Sequence, residues 1–168
     1  MHELAITVIG PDRTGIVADV AEALAGVGAN LSDSTMTRLR GHFAMTLICT
    51  GPTAEAVEKA LAPVGGVLST VRVVQPETDG AGIGEPYLVS VHGADRLGIV
   101  AAVTRVVADA GGNITDLTTR LAGELYVLTA EVELPPHSDP DRVQHMLTEV
   151  ADGLGVDAGL RLIERDDL

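Results

Sequence analysis

The chain is poor in aromatic residues and in positive charge. Among its 168 residues there is no tryptophan, with two tyrosines, one phenylalanine, and 11 lysines and arginines against 24 aspartates and glutamates, a formal net charge of −13. Binding to nucleic acid needs clustered cations for the phosphates or aromatic faces for the bases, so no direct nucleic-acid partner is expected. The single cysteine, Cys49, allows no intrachain disulfide and no cysteine-based zinc site. The five histidines, at 2, 42, 92, 137 and 145, do not recur at a ligand spacing. His137 and His145 with Asp139 and Asp141 come nearest to a metal set, and a solvated loop is the simpler reading. A P-loop, a G-x-S-x-G turn and an H-E-x-x-H helix are all missing. The expectation is a protein that is not an enzyme and has no catalytic residue, metal or cofactor. No apolar run approaches the ~18–20 residues of a membrane span, and the start, MHELAITVIGPD, has no basic leader. No membrane partner is expected, and the expected location is cytoplasmic.

What the chain does have is an internal repeat. VIGPDRTGIVADV at 8–20 aligns without a gap on VHGADRLGIVAAV at 91–103, an offset of 83 residues. The same offset carries Gly28 onto Gly111, Asn30 onto Asn113, Asp33 onto Asp116, Phe43 onto Tyr126 and Thr46 onto Thr129. A period of half the chain is too long for a solenoid and reads as two copies of one domain. Between them QPETDGAGIGEP, at 75–86, is rich in Gly and Pro and has no apolar period, the composition of a linker. The expected division is 1–75, a linker at 76–85, and 86–168. The linker's Gly80-Ala81-Gly82-Ile83-Gly84 fails the G-x-G-x-x-G spacing at Glu85 and precedes a strand-like run, so a nucleotide loop is not expected. The acidic end, Glu164 to Asp167, reads as a solvated tail.

Each copy reads as strand, helix, strand, strand, helix, strand. Leu4 to Ile9 and Tyr87 to Val91 are short β-rich runs. Ile16, Val20, Ala23, Leu24 and Val27 fall at helical spacing, as do Ile99, Val103, Val106, Val107 and Ala110. Gly28 and Gly111 are placed to end those helices. Strands are expected at 30–39 and 42–50, then 113–121 and 124–134, with Gly41 and Gly123 at hairpin turns. Second helices start near Thr53 and at Asp139-Pro140, and final strands run Val67 to Val74 and Val156 to Ile163. This order gives an α+β, ferredoxin-like βαββαβ domain, a four-stranded antiparallel sheet with both helices on one face. The other face needs a cover, which the two copies or a second chain would supply.

The densest matched segment is the turn after the first strand, Gly10 to Ile16 and Gly93 to Ile99. Amides at a helix start, with its dipole, attract a carboxylate or phosphate. The alternative is that Asp12 and Asp95 only cap the helix while Arg13 and Arg96 lie in solvent. Asn30 and Asn113 open the second strand, and in this reading they face the glycine turn. An amide there offers a donor and an acceptor to a zwitterion, or serves only as a turn residue. Cys49, within FAMTLICT, reads as a small buried hydrophobe.

The pattern G-P-D-R-x-G-I-V, an apolar helix, then G-x-N-L/I-x-D-S/L resembles the ACT domain, most of all the tandem form of the glycine cleavage system transcriptional repressor family. The resemblance covers both halves. It implies binding of a small ligand, usually an amino acid, at the first turn and the start of the second strand where domains meet. By position it implicates Asp12, Arg13, Thr14, Gly15, Ile16 and Asn30, with Asp95, Arg96, Leu97, Gly98, Ile99 and Asn113 in the second copy. The proline that often precedes the loop glycine is Thr14 here and Leu97 there, so this turn is less pre-set. The implied protein is a homodimeric sensor of an amino acid or related metabolite, acting through association, with a protein partner, in transcriptional or metabolic regulation. The rival is a ligand-free interaction module or a non-catalytic partner of a metabolic enzyme. A similar segment precedes the catalytic domain of formyltetrahydrofolate hydrolase, for which the expected second repeat leaves no room.

With so strong a negative charge, the purified protein should give no gel shift with generic duplex DNA at about 0.15 M salt. A salt-sensitive shift would contradict this.

Overall fold

The computed structural model describes residues 2–76 and 84–164. The linker fragment Gly80 to Ile83 and the tail residues Arg165 to Asp167 lie outside them. The chain forms two compact units. The first holds β1 (Glu3–Pro11), α1 (Ile16–Gly26), β2 (Asn30–Leu39), β3 (His42–Thr50), α2 (Ala54–Leu61) and β4 (Leu68–Val74). The second repeats the order with β5 (Glu85–Ala94), α3 (Ile99–Asp109), β6 (Asn113–Ala122), β7 (Leu125–Leu134), α4 (Pro140–Leu154) and β8 (Val156–Leu162). The sheets run β2-β3-β1-β4 and β6-β7-β5-β8, antiparallel throughout. This is the expected βαββαβ domain, twice.

Period-two alternation decides what is buried. Leu4, Ile6 and Val8 of β1 pair in register with Cys49, Leu47 and Met45 of β3, and all six are buried. Helix α1 covers them with Ile16, Val20 and Leu24, and α2 with Val57 and Leu61. In the second unit Tyr87, Val89 and Val91 meet Val132, Ala130 and Leu128 in the same way beneath α3 and α4.

Both first strands are longer than the apolar run alone indicates. β1 continues through Gly10 and Pro11, opposite Phe43 and His42, and β5 through Gly93 and Ala94, opposite Tyr126 and Leu125. The glycines allow this because the chain entering the last strand presses on them. A Cβ on Gly93 would lie 2.9 Å from Val156 Cγ1, and one on Gly10 would overlap the Gly66 carbonyl. The first glycine of each matched turn is therefore a packing residue. Strand β5 starts at Glu85, one residue inside the expected linker.

Both second strands carry a bulge, between Leu31 and Asp33 and between Ile114 and Asp116. The inserted residues are Ser32 and Thr115, and each hydroxyl donates to a carbonyl of the neighbouring strand, of Ile48 and Glu131, at 3.3 Å. At the outer edge of β8, the Gln144 side chain of α4 takes a strand's place. Its Oε1 accepts from the Leu160 amide at 2.7 Å and its Nε2 donates to the Ala158 carbonyl at 3.2 Å.

In the first hairpin Arg40 and Gly41 both have positive φ, 48° and 79°. A two-residue turn of this type favours asparagine at its first position, and arginine there carries strain. Arg40→Asn should raise stability by about 0.5–1 kcal/mol, read as a higher urea midpoint with the same slope.

Candidate functional site

The two glycine turns are closely alike in backbone. Gly15 and Gly98 stand before the first helical residue with φ of 83° and 90°, in the left-handed region, and no side chain caps either helix. This corrects the capping alternative for Asp12 and Asp95. A capping side chain would have to precede the helix directly, and a glycine holds that place. The Asp12 amide instead donates to the Gly41 carbonyl at 2.8 Å, and its carboxylate accepts from Arg38 Nη1 at 3.5 Å. The Ile16 amide donates to the Arg13 carbonyl at 3.3 Å, so it is already used within the turn. The side chains of Ile16 and Ile99 are in the two cores.

The turns differ in charge. Arg13 donates to Asp19 in the first turn of α1 at 2.7 Å, which ties the loop to its helix and neutralises it locally. The residue in the place of Asp19 is Ala102. Among the described residues neither Asp95 nor Arg96 has an ion-pair partner. Leu97, beside them, is 100% exposed. The second turn thus presents an unpaired cation, Arg96, and an unpaired carboxylate, Asp95, next to its helix start among the described residues.

The structure does not bring Asn30 or Asn113 to the turn of its own unit. Asn30 pairs with Thr50, level with the start of β1, whereas the turn leaves the other end of β1, where Pro11 pairs with His42. Asn113 pairs with Glu133, which is also opposite Pro86 near the start of β5. Eight residue steps of β3, from Thr50 to His42, separate the two levels in the first unit, about 27 Å at ~3.4 Å per residue. The helix between them runs back along the sheet, so the turns before and after it stand at opposite ends. The expectation that these amides face the glycine turn within a unit is corrected on that ground.

At the Asn113 end there is a groove of about 530 Å³ between α3 and the start of β6, lined among others by Thr104, Arg105, Gly112, Asn113 and Ile114. Arg105 is only loosely held, 3.9 Å from Asp109. The same offset puts Ala21 and Glu22 in the places of Thr104 and Arg105, so the charge beside Asn30 is reversed. This difference was legible in the sequence once the repeat was aligned, and only the groove shows that it has a context.

A model of the ACT domain matches residues 2–70 and 85–160. The chain belongs to the ACT-domain family. Among curated relatives, a UPF0237 protein of Streptococcus mutans is 49% identical over 43 residues, 26% of this chain and 49% of that protein. One of Methanocaldococcus jannaschii is 35% identical over 81 residues, 46% of this chain and 90% of that protein. The chain spans about half the length of several curated relatives that it matches. Among solved structures, an unknown protein of Galdieria sulphuraria has a TM-score of 0.83 at 30% identity, covering 97% of this chain and 99% of that one. A protein provisionally named a glycine cleavage system transcriptional repressor has a TM-score of 0.67 at 17% identity, covering 98% of each chain. At that identity the second likeness is one of fold.

Among the described residues no three of His, Cys, Asp and Glu are grouped to hold a metal, and no helix is long and apolar enough to cross a membrane. Cys49 is buried in the first ACT domain, and burial raises its thiol above the ordinary range. A raised pKa leaves less thiolate at any pH below it, and the thiolate is the reactive form. Cys49 should therefore resist a disulfide reagent at pH 8 in the native protein and react at once in denaturant. Rapid labelling of the folded protein would contradict this.

Proposed function

We propose that the chain is a regulatory protein that binds a small amino acid or related metabolite and passes on its occupancy through association, in transcriptional or metabolic regulation. In this reading two ACT domains, at 1–75 and 86–168 around a linker at 76–85, form a cytoplasmic homodimer that regulates through a further protein partner. It is not an enzyme. The observation that carries the proposal is the glycine turn found twice, each time uncapped at a helix start, in a chain of the ACT-domain family. The ligand's carboxylate lies at the amides around Thr14 and Gly15, or Leu97 and Gly98, where the helix dipole favours negative charge.

The closer match of the first copy to the family pattern favours the first turn. The pairing favours the second, because Arg96 has no ion-pair partner among the described residues while Arg13 is held by Asp19. A charge-assisted hydrogen bond is stronger than a neutral one, so we assign the tighter site to Leu97 and Gly98. Asp12, Arg13 and Ile16, with Asp95, Arg96 and Ile99, shape and charge the two turns. Asn30 and Asn113, at the far ends of their sheets, are kept as ligand-contact candidates apart from the turns.

A thermal-shift screen of the twenty amino acids should find a ligand, and calorimetry should then locate it. Gly98→Val should weaken binding more than Gly15→Val. Asn30→Ala and Asn113→Ala should leave the fold intact, and the one in the site should weaken binding by about ten- to a hundredfold, as expected for one hydrogen bond to a charged group at ~1.5–3 kcal/mol. If a ligand is found and none of the four changes affects it, the site lies elsewhere. If no amino acid shifts the melting curve, the ligand-free interaction module is the better reading.

A further inference from the structure

The middle of the first sheet's face turned away from its helices has three rows, between Glu3 of β1 at one end and His42 of β3 at the other. The central row is threonine on every strand, Thr35 opposite Thr46, Thr46 opposite Thr7, and Thr7 opposite Thr70. On one side lie Thr37, Ala44, Ile9 and Leu68, of which Ile9 is 45% and Leu68 73% exposed. On the other side the row runs Asp33, Ile48, Ala5, Arg72. Over these rows the two central strands carry only small or β-branched uncharged side chains. The two charges stand on opposite edges of the same row, both exposed, and neither has an ion-pair partner among the described residues.

The second sheet is different at its centre. Its corresponding face carries Glu131 on β7 and His92 on β5, and His92 is 3.5 Å from Asp157 of β8. Pressing a second sheet onto it would take those groups out of water, which costs free energy unless each finds a partner. The first face bears no such cost at its centre.

We infer that this face of the first sheet is a homodimer surface, taking the same face of a second copy of the chain. The charges select the symmetry. A two-fold axis along the strands reverses the strand order and keeps the rows, so Asp33 meets the partner's Arg72 and Arg72 meets the partner's Asp33. The threonine rows then face each other across the axis, with short side chains that suit sheets packed ~10 Å apart. An axis across the strands would instead lay the Asp33 row on the Leu68 row and leave both charges unmatched. Four strands ~4.8 Å apart and three rows ~7 Å apart make a patch of roughly 400 Å² on each copy, small enough for an exchanging dimer rather than a permanent one. The inference rests on the self-association in the proposed function and is independent of its ligand.

Sedimentation equilibrium of the full chain between about 5 and 500 μM tests it. The wild type should show a monomer–dimer equilibrium that weakens with salt. Asp33→Arg and Arg72→Asp should each weaken the dimer at least tenfold, since each change reverses two pairs, and the double variant should recover most of the loss. Thr7→Glu, which sets a charge at the centre of the face, should give monomer at every concentration with an unchanged circular dichroism spectrum. A wild type that stays monomeric up to 500 μM overturns both the surface and the self-association. A dimer indifferent to Asp33, Arg72 and Thr7, or one broken by Arg161→Asp, whose arginine stands on β8 where Arg72 stands on β4, and not by Arg72→Asp, overturns the surface alone.

Discussion

The ladder between β1 and β3, repeated between β5 and β7, is the constraint on which the rest depends. Because side chains alternate along a strand, one register settles at once which residues meet the helices and which meet solvent. Leu4 against Cys49, Ile6 against Leu47 and Val8 against Met45 define the core side. Ala5, Thr7 and Ile9 are thereby assigned to the open side. A slip of β1 by one residue against β3 would turn Ala5, Thr7 and Ile9 to the core and expose Leu4, Ile6 and Val8, so the register is held by burial as well as by hydrogen bonds.

The glycine turns are placed by the same ladder. They begin where β1 and β5 can no longer pair, and Gly15 and Gly98 turn the chain into its helix in a conformation that L side chains seldom adopt. The turn is kept in both units while its charges are not. Arg13 is engaged by Asp19, whereas the second copy has Ala102 in the place of that aspartate. Two copies of one backbone thus offer a ligand two different electrostatic settings.

Periodicity made the element order, both hairpins, the helix start near Thr53 and the cap at Asp139 legible in the sequence, because apolar spacing and turn residues are local signals. Thr53 does accept from the Ala56 amide, and Asp139 from those of Asp141 and Arg142. Two matters of direction were less accessible. The placing of Asn30 needs the sense in which α1 runs against β1, and spacing along the chain does not give the end of the sheet at which a turn emerges. The role of Asp12 needed the knowledge that a left-handed glycine stands between it and the helix. The bulges at Ser32 and Thr115 left a faint trace, a hydroxyl at the same variable position of both copies, visible only once the hydrogen bonds are known. The residues implicated by family pattern remain candidates, divided now between two ends of each sheet.

Gln144 has a consequence for how this chain behaves in a crowded solution. A strand at the margin of a sheet offers unpaired amides and carbonyls to any extended segment that passes, and β8 is such a strand. By occupying the Leu160 amide and the Ala158 carbonyl, the side-chain amide ends the ladder with a group that cannot itself extend it. The residue after the buried valine of α2 is Glu58, with no such bond to β4. The middle of that margin is therefore stoppered in the second domain, and an added strand would have to displace the glutamine to pair with Ala158 and Leu160.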